Sequence, residues 1–244
     1  MFDCDGVLVD TERDGHRISF NQAFKQMNIN AEWGVELYGV LLEIGGGKER
    51  MTHYFEQQEK NEGQGPFASI KSPEERKKLV QSLHLLKTDL FMELVETGAM
   101  PLRPGVKRLV HEAIAAGVKV AVCSTSNERA VSKIVRVMLG NEVAEKMRVF
   151  AGDCVPKKKP APDIYNLAAK ELSLDPCKVA VVEDSRIGHL AAKAAGMTCV
   201  VTKSSYTQDE KFDQADAIFD CIGDIGDERF SLSDLSRMID RVKV

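Results

Sequence analysis

The sequence lacks paired cysteines, an excess of basic residues and any long apolar run. Its cysteines form no CxxC pair, which argues against a zinc site, and several lie in apolar stretches where cysteine behaves as a small hydrophobe. We therefore expect reduced thiols and no zinc. The cysteines are Cys4, Cys123, Cys154, Cys177, Cys199 and Cys221.

Charge and hydropathy narrow the range of partners. Lys and Arg total 33 against 37 Asp and Glu, for a net charge of −4. No basic cluster is interleaved with aromatic residues, so nucleic acid is not expected as a partner. No apolar stretch approaches the roughly 20 residues that cross a bilayer, so a membrane is not expected either. The length of 244 residues with 43% apolar suits one large or two modest domains, and we expect a monomer.

From about residue 104 onward, helical patterns alternate with short apolar runs. This alternation is typical of an α/β fold, in which parallel strands form a Rossmann-like sheet with helices on both faces. The opening run can join the same sheet. Because that run holds only two residues before Asp3, we expect that the chain has been trimmed or that a leader has been removed. The predicted strands are VKVAVCS, RVFAGD, KVAVVED and MTCVVT.

Residues 11–100 contain no comparable β-rich run. Ser72 can cap a helix that has Pro73 at its first position, and leucines then recur at spacings of three and four. The stretch EQQEKNEGQGPFASI is polar and glycine-containing, which favours a flexible connection, and PLRPG marks the return to the α/β core. We predict an α/β core of residues 1–10 and 101–244 and an all-helical inserted domain of residues 11–100.

The opening stretch MFDCDGVLVD places two aspartates one residue apart. On an extended strand Asp3 and Asp5 share a face, so their carboxylates would emerge side by side where the strand ends. A calcium-binding loop does not fit, because Gly6 directly follows Asp5 and the later ligands are missing. A solvated acidic turn is the plain alternative when the motif is taken alone.

Other chemically active residues follow other predicted strands. VKVAVC ends in Ser124, Thr125, Ser126 and Asn127, KVAVV ends in Glu183 and Asp184, and Lys159 precedes a proline and a helix. Each group also has an ordinary explanation when it is taken alone. STSN can cap the helix that follows, the lysine run at Lys159 can be solvated, and Glu183 and Asp184 can stabilise the dipole of the next helix. Ligands bind beyond the carboxyl ends of parallel strands, so together they suggest carboxylates for Mg²⁺ with donors for phosphate oxygens.

FDCDGVLVD, the Ser124 region, Lys159 ahead of PAPDIY, and VVEDSRIG together resemble the four motifs of the haloacid dehalogenase superfamily. The helical insert resembles that family's cap domain. IGGGKERMTHYF, LRPGVKRLV and VAVCSTSNERAVS are similar to stretches of the CbbY-type sugar-bisphosphate phosphatases, which are in turn similar to β-phosphoglucomutases. The resemblance covers nearly the whole chain.

The resemblance implies a mechanism. Asp3 would attack phosphorus to form an aspartyl phosphate, and Asp5 would act as general acid and then general base. Mg²⁺ would be bound by Asp3, the backbone carbonyl of Asp5 and Asp184, with Glu183 supporting the site. Ser124 and Lys159 would hold the phosphoryl oxygens.

The cap would supply selectivity for a small phosphosugar substrate. GGGKER offers exposed backbone and cations for a second phosphate, although a loop with a capped helix and solvated charges explains the same stretch. Glu12 and His16 would contact sugar hydroxyls, and Lys87 resembles a cap lysine of the mutases. The complete set of predicted substrate-binding residues is Glu12, His16, Gly46, Gly47, Lys48, Glu49, Arg50, Lys87, Ser124, Thr125, Ser126, Asn127 and Arg129.

The closest motif matches imply a phosphatase for xylulose-1,5-bisphosphate, an inhibitory by-product of Rubisco, in the chloroplast stroma of a plant or alga and otherwise in the cytoplasm. Three alternatives stay open: a phosphosugar mutase that shields its aspartyl phosphate from water, a broader sugar-phosphate phosphatase, and a non-catalytic phosphosugar sensor. A sensor would be expected to lose Asp3 or Lys159, and both are present.

Overall fold

A computed structural model describes residues 1–44, 46–152 and 154–241, with the side chain of Glu62 excepted. The chain divides into two compact units. One combines Met1–Thr11 with Val95–Val244, and the other is Glu12–Leu94. The assignment of the second unit as a cap domain stays a prediction.

The first unit contains a parallel sheet. Strand β1 (Val120–Ser124) pairs with β2 (Met147–Ala151). Strand β3 (Ala180–Glu183) pairs with β4 (Thr198–Thr202), and β4 pairs with β5 (Ala217–Phe219). The first four of these strands correspond to the predicted apolar runs. Strand β5 was not predicted, because it is short and has no sustained apolar pattern.

The opening run joins the two groups of strands. Phe2 makes parallel bridges to Val122 of β1 and to Val182 of β3. Its amide donates to the carbonyl of Ala121 at 2.9 Å, and its carbonyl accepts from the amide of Cys123 at 2.8 Å. The segment is therefore central in the sheet, as predicted, although it contributes single bridges rather than a long ladder.

Helices cover both faces of the sheet. Because strand residues alternate between faces, Ala121 and Cys123 of β1 pack with helices α9 (Asp163–Glu171) and α10 (Arg186–Ala194) in one apolar cluster. On the other face, helix α6 (Val106–Ala115) contacts β1 and helix α11 (Leu232–Arg241) contacts β3, and both helices line an apolar groove with Val120. The predicted α/β class is confirmed. The helices of this unit are α6 (Val106–Ala115), α7 (Glu128–Ile134) with a π-helical turn (Val135–Leu139), α8 (Asn141–Lys146), α9 (Asp163–Glu171), a 3₁₀ turn (Pro176–Lys178), α10 (Arg186–Ala194) and α11 (Leu232–Arg241).

The second unit is helical and has an aromatic core. The rings of Phe20 and Trp33 have centroids 4.8 Å apart, and those of Phe24 and Trp33 are 4.9 Å apart. The hydroxyl of Ser72 accepts from the amide of Glu75 at 3.4 Å, which confirms the predicted cap. The elements that begin in this unit are a π-helical turn (Glu12–His16), α1 (Arg17–Gln26), α2 (Val35–Leu41), α3 (Gly47–Glu62), α4 (Pro66–Ser69) and α5 (Pro73–Thr97).

The prediction of a flexible connection at EQQEKNEGQGPFASI was wrong. Helix α3 continues to Glu62, and α4 follows after a turn at Gly63. The first half is rich in Glu, Gln and Lys, which are good helix formers. Phe67 then fixes the second half, since it is buried and its ring centroid lies 5.5 Å from that of Phe55. None of the helices described here has the length and apolarity needed to cross a membrane.

Candidate active site

Asp3 lies where the central segment leaves the sheet, and its backbone amide donates to the carbonyl of Val182 at 2.9 Å. The chain then turns at Gly6, which has a φ of +79°. A Cβ atom at this position would lie 1.9 Å from Oδ2 of Asp184. Glycine is therefore needed for two reasons, the left-handed backbone and the close approach of the first motif to the end of β3.

Lys159 links two of the buried carboxylates. Its Nζ atom lies 2.6 Å from Oδ1 of Asp3, 2.6 Å from Oε1 of Glu183 and 2.9 Å from the carbonyl oxygen of Cys123. The lysine side chain is only 4% exposed. The structure thus brings together Asp3 and Glu183, which were predicted at the ends of two strands, with Lys159, which was predicted to lie before a proline and a helix.

Asp3, Glu183 and Asp184 form an acidic cluster whose ligand atoms lie within 4.8 Å of one another. Lys159 supplies one positive charge against these three buried carboxylates, so negative charge is left in excess. Buried charge without compensation is costly, and oxygen ligands suit hard divalent cations. The donor set therefore fits Mg²⁺, as the sequence predicts.

Burial dominates the titration of this cluster. It raises the pKa of Asp3 to about 7, with the Glu183 and Asp5 charges adding to the effect and Lys159 opposing it. Burial likewise raises the pKa of Asp184 well above its ordinary value. Burial alone would lower the pKa of Lys159, but the charges of Asp3 and Glu183 outweigh it and raise that pKa. In the absence of a cation, protons therefore compete for the cluster.

Asp5 is held by hydroxyl groups. Its Oδ1 accepts from Thr11 at 2.6 Å, and its Oδ2 accepts from Ser126 at 2.6 Å and from Ser124 at 3.2 Å. Thr11 is fully buried. Thr11 was not predicted as a site residue, since no motif includes it, although its place directly after the first motif put it within reach of Asp5.

The STSN stretch after β1 has two roles. Asn127 caps α7, because its side chain accepts from the amide of Arg129 at 3.0 Å and from that of Ala130 at 3.4 Å. Ser124 is buried beside Asp5, whereas Thr125 is partly buried and Asn127 and Arg129 are exposed. The structure therefore brings the two serines to Asp5 and leaves the end of the stretch at the surface.

Arg103, which the sequence analysis did not single out, ties together the loops around the strand ends. Its guanidinium donates to the carbonyl of Gly6 and to that of Thr202 at 2.9 Å. It also donates to the carbonyls of Lys203 and Asp220, each at 2.6 Å. The planar group with its five N–H donors suits this role.

In the helical unit, Glu12 and Arg50 belong to one chain of hydrogen bonds. Tyr38 donates its hydroxyl to Oε2 of Glu12 at 2.7 Å and accepts from Nη1 of Arg50 at 2.9 Å. Arg50 also donates to the carbonyls of Leu41 at 3.0 Å and Ile44 at 3.4 Å. Arg50 is 7% exposed. Arg50 was expected from GGGKER to be an exposed phosphate ligand, but it is buried inside its own unit. Carbonyl and hydroxyl oxygens of that unit accept hydrogen bonds from its guanidinium.

His16 and Lys87, both predicted to bind substrate, lie together. Nζ of Lys87 is 2.9 Å from Nδ1 of His16. The same ammonium lies 4.8 Å from the ring centroid of Phe20 and 5.4 Å from that of Phe91. Aromatic faces attract cations, which explains how a lysine that is 8% exposed can be accommodated here.

The remaining predicted ligands lie at the start of α3. Gly46 has a φ of +94°, and a Cβ atom there would lie 2.2 Å from Oε2 of Glu49. Gly47 lies close to His84, since a Cβ atom there would be 3.2 Å from the imidazole ring. Lys48 is exposed. Gly45, which opens the GGGKER stretch, lies outside the described residues.

The haloacid dehalogenase-like hydrolase model matches residues 1–196 of this sequence. The chain belongs to that family. It is 63% identical to a CBBY-like protein of Arabidopsis thaliana, over 96% of this chain and 72% of the relative. It is 37% identical to Protein CbbY of Cereibacter sphaeroides, over 93% of each chain. The predicted superfamily is confirmed, and the chain is a CbbY-related hydrolase.

Solved structures support the same relationship. The fold matches CbbY from Rhodobacter sphaeroides in complex with phosphate at a TM-score of 0.73 and 36% identity, covering 96% of each chain. A mutant of that protein in complex with xylulose-1,5-bisphosphate matches at a TM-score of 0.73 and 35% identity, covering 96% of this chain and 97% of the other.

Proposed function

We propose that this chain is a Mg²⁺-dependent phosphatase that hydrolyses xylulose-1,5-bisphosphate to xylulose 5-phosphate and phosphate. The observation that carries the proposal is the buried cluster of Asp3, Glu183 and Asp184 around Lys159, with Asp5 beside it. The similarity to a CbbY protein whose structure contains xylulose-1,5-bisphosphate supports the choice of substrate.

In this mechanism a carboxylate oxygen of Asp3 attacks phosphorus while the bond from phosphorus to the sugar oxygen breaks. Asp5 gives its proton to that oxygen, and the carboxylate that remains takes a proton from water. The water oxygen then attacks phosphorus and displaces the Asp3 carboxylate, which releases phosphate and restores both aspartates. The hydroxyls of Thr11, Ser124 and Ser126 keep the Asp5 carboxyl group in one orientation.

Lys159 holds the Asp3 carboxylate in place and offers positive charge to the phosphoryl oxygens. When bound by Asp3, Asp184 and the backbone carbonyl of Asp5, Mg²⁺ supplies the charge neutralisation that lets a carboxylate approach a phosphate dianion.

We further propose that the helical unit acts as a cap that selects the substrate. Lys48 is the exposed cation at the start of α3 and suits a distal phosphate, whereas Glu12, His16 and Lys87 suit sugar hydroxyls. We assign Arg50 to holding Tyr38 and, through it, Glu12, because its donors are engaged within the unit. Arg129, which is exposed, stays a candidate for the distal phosphate.

Phosphate release from a panel of phosphosugars tests the substrate. We expect kcat/KM for xylulose-1,5-bisphosphate to exceed that for ribulose-1,5-bisphosphate, which differs at one stereocentre. Glu12→Gln should reduce this preference first, since a well-placed polar contact can discriminate by orders of magnitude. A preference for ribulose-1,5-bisphosphate would contradict the assignment. Formation of glucose 6-phosphate from β-glucose 1-phosphate without phosphate release would indicate a mutase.

For the cellular context we propose a monomer in the chloroplast stroma. The similarity to an Arabidopsis protein supports a plant setting. A fluorescent fusion of the full-length natural protein tests the location, and light scattering of the purified chain tests the monomer. A dimer mass, or fluorescence confined to the cytoplasm, would contradict the respective proposal.

A further inference from the structure

Glu183 is surrounded by donors from the protein itself. Its Oε1 accepts from Nζ of Lys159 at 2.6 Å and from the hydroxyl of Tyr165, and its Oε2 accepts from the amide of Asp184 at 3.3 Å. A carboxylate oxygen has about two lone-pair sites, so protein donors fill both sites of Oε1. Glu183 therefore has less to offer a cation than its neighbours in the acidic cluster.

Gly188 blocks one direction in which this carboxylate could move. A Cβ atom at Gly188 would lie 2.0 Å from Oε2 and 2.3 Å from Oε1 of Glu183. The carboxylate thus lies against the backbone of the first turn of α10. The backbone of α10 therefore excludes one direction of movement, and the donors on Oε1 hold the carboxylate towards Lys159 and Tyr165.

Tyr165 is a fixed donor. It is fully buried on α9, within the apolar cluster that includes Ile164 and Ala168. Burial, followed by the charge of Glu183, raises its pKa well above the ordinary value, so the hydroxyl keeps its proton. Its ring centroid also lies 5.1 Å from Nζ of Lys159. One side chain therefore contacts both partners of the Lys159–Glu183 ion pair.

The number of carboxylate ligands matters for the choice of cation. Ca²⁺ takes six to eight oxygen ligands at about 2.3–2.6 Å in flexible arrangements, whereas Mg²⁺ demands near-octahedral geometry at about 2.0–2.1 Å and keeps several waters. A third carboxylate that is free to move would favour Ca²⁺. A third carboxylate held back by the protein would favour Mg²⁺.

We propose that Tyr165 is a positioning residue for metal selectivity: its hydroxyl holds Glu183 towards Lys159 and leaves Asp3 and Asp184 as the carboxylate ligands of Mg²⁺. Tyr165 acts in this way only if the site binds Mg²⁺, as the proposed function requires.

Calorimetric titration of the whole chain with Mg²⁺ and with Ca²⁺ tests this role without relying on turnover. Tyr165→Phe removes one oxygen atom and keeps the ring. We expect the ratio of the two dissociation constants to shift towards Ca²⁺ by about tenfold, the lower end of the change in metal affinity usually seen when a hydrogen bond around a metal site is removed. Tyr54→Phe, which removes a phenol hydroxyl from the helical unit, is the matched control and should leave the ratio unchanged.

A second substitution identifies the group responsible. In the Tyr165→Phe background, Glu183→Gln should abolish the gain in Ca²⁺ affinity, since an amide is a weaker ligand than a carboxylate. Gly188→Ala should shift selectivity in the same direction as Tyr165→Phe, because its Cβ atom would overlap the Glu183 carboxylate and force it away from its present donors.

Three results would overturn the role of Tyr165. If the ratio of the Mg²⁺ and Ca²⁺ dissociation constants in Tyr165→Phe stayed within about twofold of wild type, Tyr165 would contribute only to packing. A Ca²⁺ gain that survives Glu183→Gln would mean that Glu183 is not the group restrained. Failure of the wild-type chain to bind Mg²⁺ at all would remove the proposed metal site as well, so the two proposals fail in distinguishable ways.

Discussion

The two units bury charge of opposite sign. In the α/β unit, carboxylates exceed cations around Asp3, and burial raises the pKa of that carboxyl group. Among the side chains that the structure describes in the helical unit, the buried charges are cations: Arg50 donates to carbonyl and hydroxyl oxygens, and Lys87 lies against aromatic rings and an imidazole. The first arrangement suits a cation, whereas in the second the buried cations already have acceptors or aromatic rings of their own unit as partners.

The largest effect should come from the α/β unit. Asp3→Asn replaces an anionic nucleophile by a neutral amide that also binds Mg²⁺ poorly. Phosphate release from xylulose-1,5-bisphosphate should fall at least about 1000-fold, or about 4 kcal/mol of barrier, with the fold retained. Asp209→Asn, at an exposed aspartate, is the control. Turnover of the Asp3 variant within about tenfold of wild type would show that the nucleophile lies elsewhere.

The next largest effect is expected when Lys159, the lysine that pairs with the acidic cluster, is replaced. Lys159→Met should leave Asp3 and Glu183 without their shared partner and lower the free energy of unfolding by about 3 kcal/mol in metal-free buffer. Chemical denaturation measures the loss, and Mg²⁺ should restore part of it. Lys157→Met, at an exposed neighbour, should have no such effect. If Lys159→Met and the wild-type protein were equally stable in metal-free buffer, Lys159 would not stabilise the buried carboxylates.

The corresponding change in the helical unit separates a buried cation from an exposed one. Arg50→Ala should lower the free energy of unfolding by about 2 kcal/mol, because it leaves the acceptors at Leu41 and Tyr38 unpaired. Lys48→Ala should leave stability unchanged and reduce kcat/KM for the bisphosphate far more than for a simple monophosphate. If instead Arg50→Ala keeps full stability and shows the substrate-selective loss, its guanidinium binds phosphate directly.

A further expected effect is a dependence of stability on pH. The folded-state pKa of Asp3 is about 7 against an ordinary 3.8, so the folded state binds this proton more tightly than the unfolded state. The resulting stabilisation is complete below about pH 4 and is lost as the pH rises through about 7. In EDTA, Asp3→Asn should therefore gain stability relative to wild type between pH 5 and pH 8. A difference that does not vary with pH would contradict the raised pKa.

The α/β unit was the easier of the two to predict from sequence. Apolar runs that alternate with helical patterns identify parallel strands, and the carboxyl ends of such strands meet at one edge of the sheet. Asp3, Lys159 and Asp184 could therefore be predicted to share one site before any distance between their atoms was known. The partners Thr11, Tyr165 and Arg103 were missed, because contacts between side chains depend on packing that no spacing reveals.

The helical unit shows more clearly how little of the direction of a side chain can be predicted from sequence. GGGKER predicts exposed cations, and Lys48 is exposed, but Arg50 two residues later turns inward to Tyr38. Residues two apart on a helix point in different directions, and the missing information was which direction faces the aromatic core. The prediction of a flexible connection at EQQEKNEGQGPFASI was wrong for a related reason. The burial of Phe67 stabilises this stretch in spite of the glycines before it.

The Arg103 contacts also bear on the order in which the protein folds. This one side chain joins Gly6 to Asp220, and Lys159 reaches Asp3 across 156 positions of sequence. Contacts between such distant residues form late, because the chain entropy of closing long loops must be overcome first. A growing chain cannot complete the acidic cluster until Asp184 has been synthesised. Until then the first motif lacks the Lys159, Glu183 and Asp184 partners of the cluster, and its chemistry cannot begin before residue 184 has been synthesised.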